Sequence, residues 1–277
     1  MARRNNKGRT SSPVPYASEP AQKEEAKLDF TKPTEFVELP SGGRLYPPDH
    51  PFYMKEEVEI RFMTARDEDI LSSKSLLNKG LALDRLLQGL LIDKIDVKSI
   101  LVGDRNALFV AARISAYGAS YEVNVGCPKC GAREDHEFDL SSLSFREISD
   151  DIEVTENGTF IVNLPRTGVD AEVRYLNVKE QEYLTKNAEA KAKNNLPETT
   201  TTDFLKMCIA SIDSETSKTK INSFINHMPA MDSLEIRKAY GRVTPDIDLK
   251  QEYNCSSCGA TTVLEVPLAG NFFWPQR

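Results

Sequence analysis

In EEVEIRFMT, residues 56–64, apolar and polar positions alternate, with Val58, Ile60 and Phe62 on one side. A period of two predicts a half-buried β-strand. Thr64 then stands where a helix N-cap belongs. Asp67, Glu68 and Asp69 fall in the first helical turn, where carboxylates complement the helix dipole, so a helix through Ile70 and Leu71 follows. In LALDRLLQGLLIDKI, residues 81–95, Leu83, Leu86, Leu87, Leu90 and Leu91 recur at helical spacing. One apolar stripe of that kind predicts an amphipathic helix. VGDRNALFVAARISAYG, residues 102–118, reads as a further helix, with Asp104 as its cap and Gly118 as its stop. SYEVNVG then alternates Tyr121, Val123 and Val125 into CPKCG, and HEFDLSSLSF leads away from it. Residues 186–202 predict a helix end and a mobile loop. DFLKMCIASI, residues 203–212, predicts an apolar helix that buries Cys208 as a core thiol.

The pattern recurs along the chain. EFVELPSGG from Glu35 matches FIVNLPRTG from Phe160 in placing Leu-Pro and a glycine turn after a short apolar strand. VEIRFMTARDEDIL from Val58 matches AEVRYLNVKEQEYL from Ala171, setting Arg61 beside Arg174 and Asp67 beside Glu180. LDRLLQGLLIDKID then parallels DFLKMCIASID, ARISAYG parallels EIRKAYG, and CPKCGA parallels CSSCGA. Shared order and spacing indicate duplication. The expected fold is α+β, with two tandem, related strand–helix halves at 33–150 and 151–277. Residues 1–32 are polar and lack apolar periodicity, so they are expected to form a disordered arm. Its cluster of Arg3, Arg4, Lys7 and Arg9 reads as solvated tail or as a contact with a partner or nucleic acid.

Each half ends in one CxxCG knuckle. A single knuckle supplies two thiolates, whereas structural zinc takes four in a tetrahedron. Cys127, Cys130, Cys255 and Cys258 are therefore expected to bind one Zn²⁺ together and clasp the halves. The long gap between the pairs follows if the second half is inserted between them. A disulfide within each CxxC and a redox dithiol are the competing readings. His136 follows the first knuckle but has no counterpart after the second, and is expected at the surface.

Composition narrows the function. The net charge is −7 over 277 residues, a poor match to a general nucleic-acid binder. A zinc-ribbon nucleic-acid or transcription protein is the alternative, but Glu134, Asp135, Glu137 and Asp139 crowd the first knuckle against Lys129 and Arg133. No apolar run approaches the length of a membrane span, and no apolar h-region follows the basic N-terminus. The chain has three histidines and no GxSxG, HExxH, P-loop or GxGxxG in a strand–helix context, so neither an enzyme nor a small-molecule substrate is expected.

The motifs LPSGGRLYP, EIRFMTARDEDIL, LLQGLLIDKID and VGDRNALFVAARISAYG precede CPKCG. MPAMDSLEIRKAYG, CSSCG and the terminal VPLAGNFFWP complete the series. Together they resemble the baseplate hub proteins of contractile-tailed, T-even-type phages, from Pro33 to the C-terminus. The resemblance implies a structural or assembly role, with other baseplate and tail proteins as partners. It also implies assembly in the host cytoplasm and a place in the virion tail. The zinc rests on the cysteines, not on the resemblance. The terminal Phe272, Phe273 and Trp274 are expected either to tuck into the core or to dock a partner.

Overall fold

Two Leu-Pro turns organise the chain, each closing a hairpin whose second strand feeds a capped helix. The computed structural model describes residues 33–146, 154–268 and 272–273. The expected arm, the 150/151 boundary and Trp274 lie outside them. Strand β1 (Thr34–Glu38) pairs antiparallel with β2 (Glu57–Arg61), from Thr34↔Arg61 to Glu38↔Glu57. Helices α1 (Ala65–Ser72), α2 (Lys74–Asn78) and α3 (Ala82–Leu90) follow, then α4 (Val102–Tyr117). Hairpin β3 (Ser120–Gly126) and β4 (Arg133–Asp139) comes next, and β5 (Ser144–Phe145) ends this stretch.

The chain then gives β6 (Thr159–Asn163) and β7 (Asp170–Arg174), paired from Thr159↔Arg174 to Asn163↔Asp170. Helices α5 (Val178–Lys193) and α6 (Thr200–Cys208) lead into β8 (Ile209–Ile212), the third strand of that sheet. Helices α7 (Lys218–His227) and α8 (Ala230–Val243), strand β9 (Ile247–Asp248) and hairpin β10 (Lys250–Asn254) with β11 (Thr261–Glu265) complete the order. The mixed helix-and-strand class matches the expectation. Strand β5 pairs with β9, so segments far apart in sequence share a sheet. The described residues of 32–277 form one compact unit around one large apolar core.

The first helix cap follows its sequence signal. Thr64 and Asp67 form a capping box on α1, and Arg61 donates to both Asp67 carboxylate oxygens at 2.7 and 2.8 Å. The same arrangement stands at α5, where Asn177 and Glu180 form the box and Arg174 donates to both Glu180 oxygens at 3.0 and 2.7 Å. Leu86, Leu87 and Leu90 of α3 are fully buried, as the stripe requires, while Leu83 is partly exposed.

Four expectations change. Asp104 is not the cap of α4; Leu101 holds that position, and Asp104 sits in the first turn. Its buried carboxylate reaches back to the first Leu-Pro turn, accepting from Ser41 N (2.9 Å), Ser41 Oγ (2.7 Å) and Tyr46 Oη (2.7 Å). Burial pushes this carboxyl upward against those hydrogen bonds. Asp232, in the first turn of α8, does the same for the second turn, accepting from Arg166 N, Thr167 N and Thr167 Oγ1.

The second change concerns DFLKMCIASI. Its helix stops at Cys208, and Ile209–Ile212 is strand, because the apolar run that looks helical is taken up as a buried neighbour of β7. Cys208 is fully buried, and its thiol is pushed up to about 12 by burial. Third, residues 186–202 hold the expected helix end, α5 running to Lys193, but the non-helical stretch is only 194–199 because α6 opens at Thr200. Lys191 bridges the two by an ion pair to Asp203 at 2.6 Å.

Fourth, ARISAYG and EIRKAYG are not equivalent. Gly118 ends α4 with φ 84°, whereas Gly241 lies inside α8. An offset of 128 positions carries Asp104 to Asp232, Cys127 to Cys255 and the first residue of β4 to that of β11, while the capping boxes at Thr64 and Asn177 stand 113 positions apart.

Candidate metal centre

Both knuckles are tight turns at hairpin tips, built the same way. Cys127 N donates to Ala132 O (2.8 Å) and Gly131 N to Cys127 O (2.9 Å). Cys255 N donates to Ala260 O (3.1 Å) and Gly259 N to Cys255 O (2.9 Å). Gly131 and Gly259 take φ of 76° and 67°, the left-handed region that a side chain would strain. Val125 of β3 and Leu264 of β11 pack with Cys127, Tyr253 and Cys255 in a small apolar cluster of their own. This cluster covers one side of the sulfurs, while Cys130 and Cys258 are exposed on the other.

The structure brings all four expected cysteines together. Their sulfurs lie within 4.8 Å of one another. The close pairs run between hairpins: Cys127 Sγ to Cys258 Sγ at 3.9 Å and Cys130 Sγ to Cys255 Sγ at 3.8 Å. Four sulfurs around a zinc at a Zn–S length of about 2.3 Å stand about 3.8 Å apart, so the donor set fits a tetrahedral thiolate site. All five cysteines of the chain are free thiols. The backbone N–H of Lys129 also points at Cys127 Sγ, at 3.4 Å. The Cys258 backbone N–H pulls the Cys255 thiol down to about 6, whereas the crowding of neighbouring thiols pushes Cys130 up to about 12 and Cys258 upward.

Polar bonds reinforce the joint. Glu134 of β4 accepts from Tyr253 Oη at 2.5 Å, from Ser256 N at 3.2 Å, and from Ser256 Oγ. Hydrogen bonds from Ser256 hold its carboxyl below the usual carboxylate range. Gln251 Nε2 donates to Asp139 O (2.7 Å), while Asp139 N donates to Gln251 Oε1 (3.2 Å). The His136 ring packs edge-on against Phe138 and Tyr253, with centroids 4.6 and 5.2 Å away. His136 is thus half-buried between the hairpins, a correction to its expected surface position.

Glu134, Tyr253, Ser256 and Gln251 were not visible as site residues in the sequence. Their partners lie more than a hundred positions away, and no local spacing marks them. Glu134 had counted only as a charge unfavourable to phosphate; its role is to grip the opposite knuckle.

The chain's last described residues are also fixed. Phe272 and Phe273 are buried, and Arg113 Nε donates to Phe272 O at 2.8 Å. Phe273 meets Phe109 edge-on at 5.8 Å, and Phe272 meets Tyr121 at 5.2 Å. These two phenylalanines take the core option.

Among the described residues no helix is long and apolar enough to cross a membrane. A family model described as T4 bacteriophage base plate protein matches residues 32–274. No curated protein and no solved structure matches the chain.

Proposed function

The chain belongs to the T4 bacteriophage base plate protein family, a structural family of the phage tail, and from that premise we propose that it helps build the central hub of a contractile-tail baseplate. Membership makes other tail proteins its partners and the virion tail its place. Our finer reading is a structural or assembly component that acts through protein–protein contacts, is assembled in the host cytoplasm, and catalyses no reaction.

The observation that carries the mechanical part of this reading is the four-sulfur cluster between two hairpins. Zinc held by Cys127, Cys130, Cys255 and Cys258 would be closed to substrate, since four thiolates leave no open position. It would serve as a clasp, joining parts of the chain that no single hairpin could hold in register. The paired capping boxes with their arginines, together with the two buried aspartates and the two knuckles that share a 128-position offset, support descent of 33–150 and 151–277 from one duplicated unit.

Metal analysis and X-ray absorption on the purified full chain test the clasp. One zinc per chain with four sulfur neighbours is expected, and histidine or oxygen in the shell would refute it. Co-purification from infected cells tests the hub reading, with baseplate proteins expected. Recovery of transcription machinery alone, with salt-dependent binding to DNA or RNA, would replace it by the nucleic-acid alternative.

A further inference from the structure

Among the described residues strand β1 is paired on one side only. Phe62 N donates to Pro33 O at 2.9 Å and Leu39 N to Glu56 O at 2.8 Å, so the odd-numbered residues between them face β2. In an antiparallel ladder the alternate residues then turn their backbone groups the other way. These are Thr34, Phe36 and Glu38, and among the described residues their N–H and C=O groups have no partner. Open edges of this kind are templates for another strand, and proteins ordinarily blunt them.

Among the described residues no strand covers this edge. Phe36, at its centre, is 65% exposed. Beside β1 lies an apolar groove of about 300 Å³, floored by Val110, Ala111 and Ile114 of α4 and walled on the far side by Leu143 and Phe145. At β6 the corresponding edge is met only at its start, where the chain turns into the strand, with Val154 bridging Phe160 and Thr155 N donating to Thr159 O at 2.7 Å.

Charge selects the occupant. Glu38 borders the groove, Glu56 and Glu57 line the hollow that continues it past Phe145 and outnumber its one cation, Arg44, and Glu59 lies across from Phe36 on β2. Glu35, on the Val37 side of the strand, has a buried carboxylate oxygen with no hydrogen-bond partner. A second copy pairing antiparallel through β1 would set Phe36 against Phe36 and Glu38 against Thr34, and β1 carries no basic residue to answer the glutamates.

We propose that β1 and its groove receive an extended segment of another protein that alternates apolar with basic residues, adding a strand at Thr34–Glu38. The inference rests on the reading of this chain as a protein-contact component and names the surface and partner chemistry for it.

The probe is a labelled heptapeptide alternating valine with lysine and threonine, titrated against the full chain. Binding should slow hydrogen exchange at the Thr34, Phe36 and Glu38 amides. Phe36→Pro removes an N–H that β2 does not use, so folding should survive while affinity falls at least about tenfold. Replacing the peptide's lysines with glutamates should weaken binding by a similar factor.

Equal binding of both peptides, or no effect of Phe36→Pro, would overturn the proposal. So would a dimer that Phe36→Pro abolishes, because the occupant would then be a second copy. Protection of those amides in the free chain, lost when residues 1–32 are deleted, would also overturn it by making the occupant internal. Co-purification separates the two levels. If the wild-type chain recovers no tail proteins, the baseplate-contact reading fails. If wild type and Phe36→Pro recover the same tail proteins, only the edge proposal fails.

Discussion

Substituting Asp67 by Asn should cost about 2 kcal/mol at neutral pH, and the cost should vanish in acid. The Asp67 side chain is 2% exposed and that of Arg61 14%. Burial alone would raise the carboxyl. Two hydrogen bonds from Arg61 and two from Thr64 outweigh it and lower the value from 3.8 to about 2. A lowering of nearly two units corresponds to about 2 kcal/mol, at about 1.4 kcal/mol per unit.

The folded-state value is depressed, so this stability is present above pH 3.8 and is lost as pH falls through about 2. Urea melts of wild type and Asp67→Asn between pH 7 and pH 3 measure the gap, which should begin to close below about pH 4. The Arg174–Glu180 pair supplies the control. Its side chains are 35% and 20% exposed, so Glu180→Gln should cost less than about 1 kcal/mol. A gap for Asp67→Asn that is the same at pH 7 and pH 3 would refute the charge-pair reasoning, as would an equal cost at Glu180.

Gly103→Ala should destabilise by at least about 3 kcal/mol in thermal melts, because its Cβ would sit 2.0 Å from the Pro245 carbonyl oxygen. Cys255→Ser should lower zinc content and melting temperature together. Cys208→Ser should leave zinc content unchanged, since Cys208 is a buried core thiol away from the cluster. Phe273→Ala should cost about 3 kcal/mol, as for other buried phenylalanines, and a melt within about a degree of wild type would show that the ring is dispensable.

What was legible in the sequence was local. Alternation over 56–62 and the Thr64–Asp67 spacing specify β2 and the cap of α1, because both signals act within a turn or two. The CxxCG knuckles carry their geometry in their own glycines, and like spacing foretold that the sulfurs would meet. What misled was local resemblance without tertiary context. Ile209 and Ile212 extend an apolar run that looks helical, but β7 offers them a ladder. The AYG segments look alike, yet Gly118 ends α4 while Gly241 lies inside α8. Asp104 looked like a cap because aspartate caps helices; its oxygens were claimed by a turn some sixty residues earlier, at Ser41.

The burial of Phe272 and Phe273 bears on whether the chain could be divided. Phe272 and Phe273 complete packing around Phe109, Arg113 and Tyr121, and Gly103 is seated against Pro245. Residues more than a hundred and fifty positions apart thus share one interior, so cutting the chain between α5 and α6 should leave neither fragment able to cover its own apolar surface.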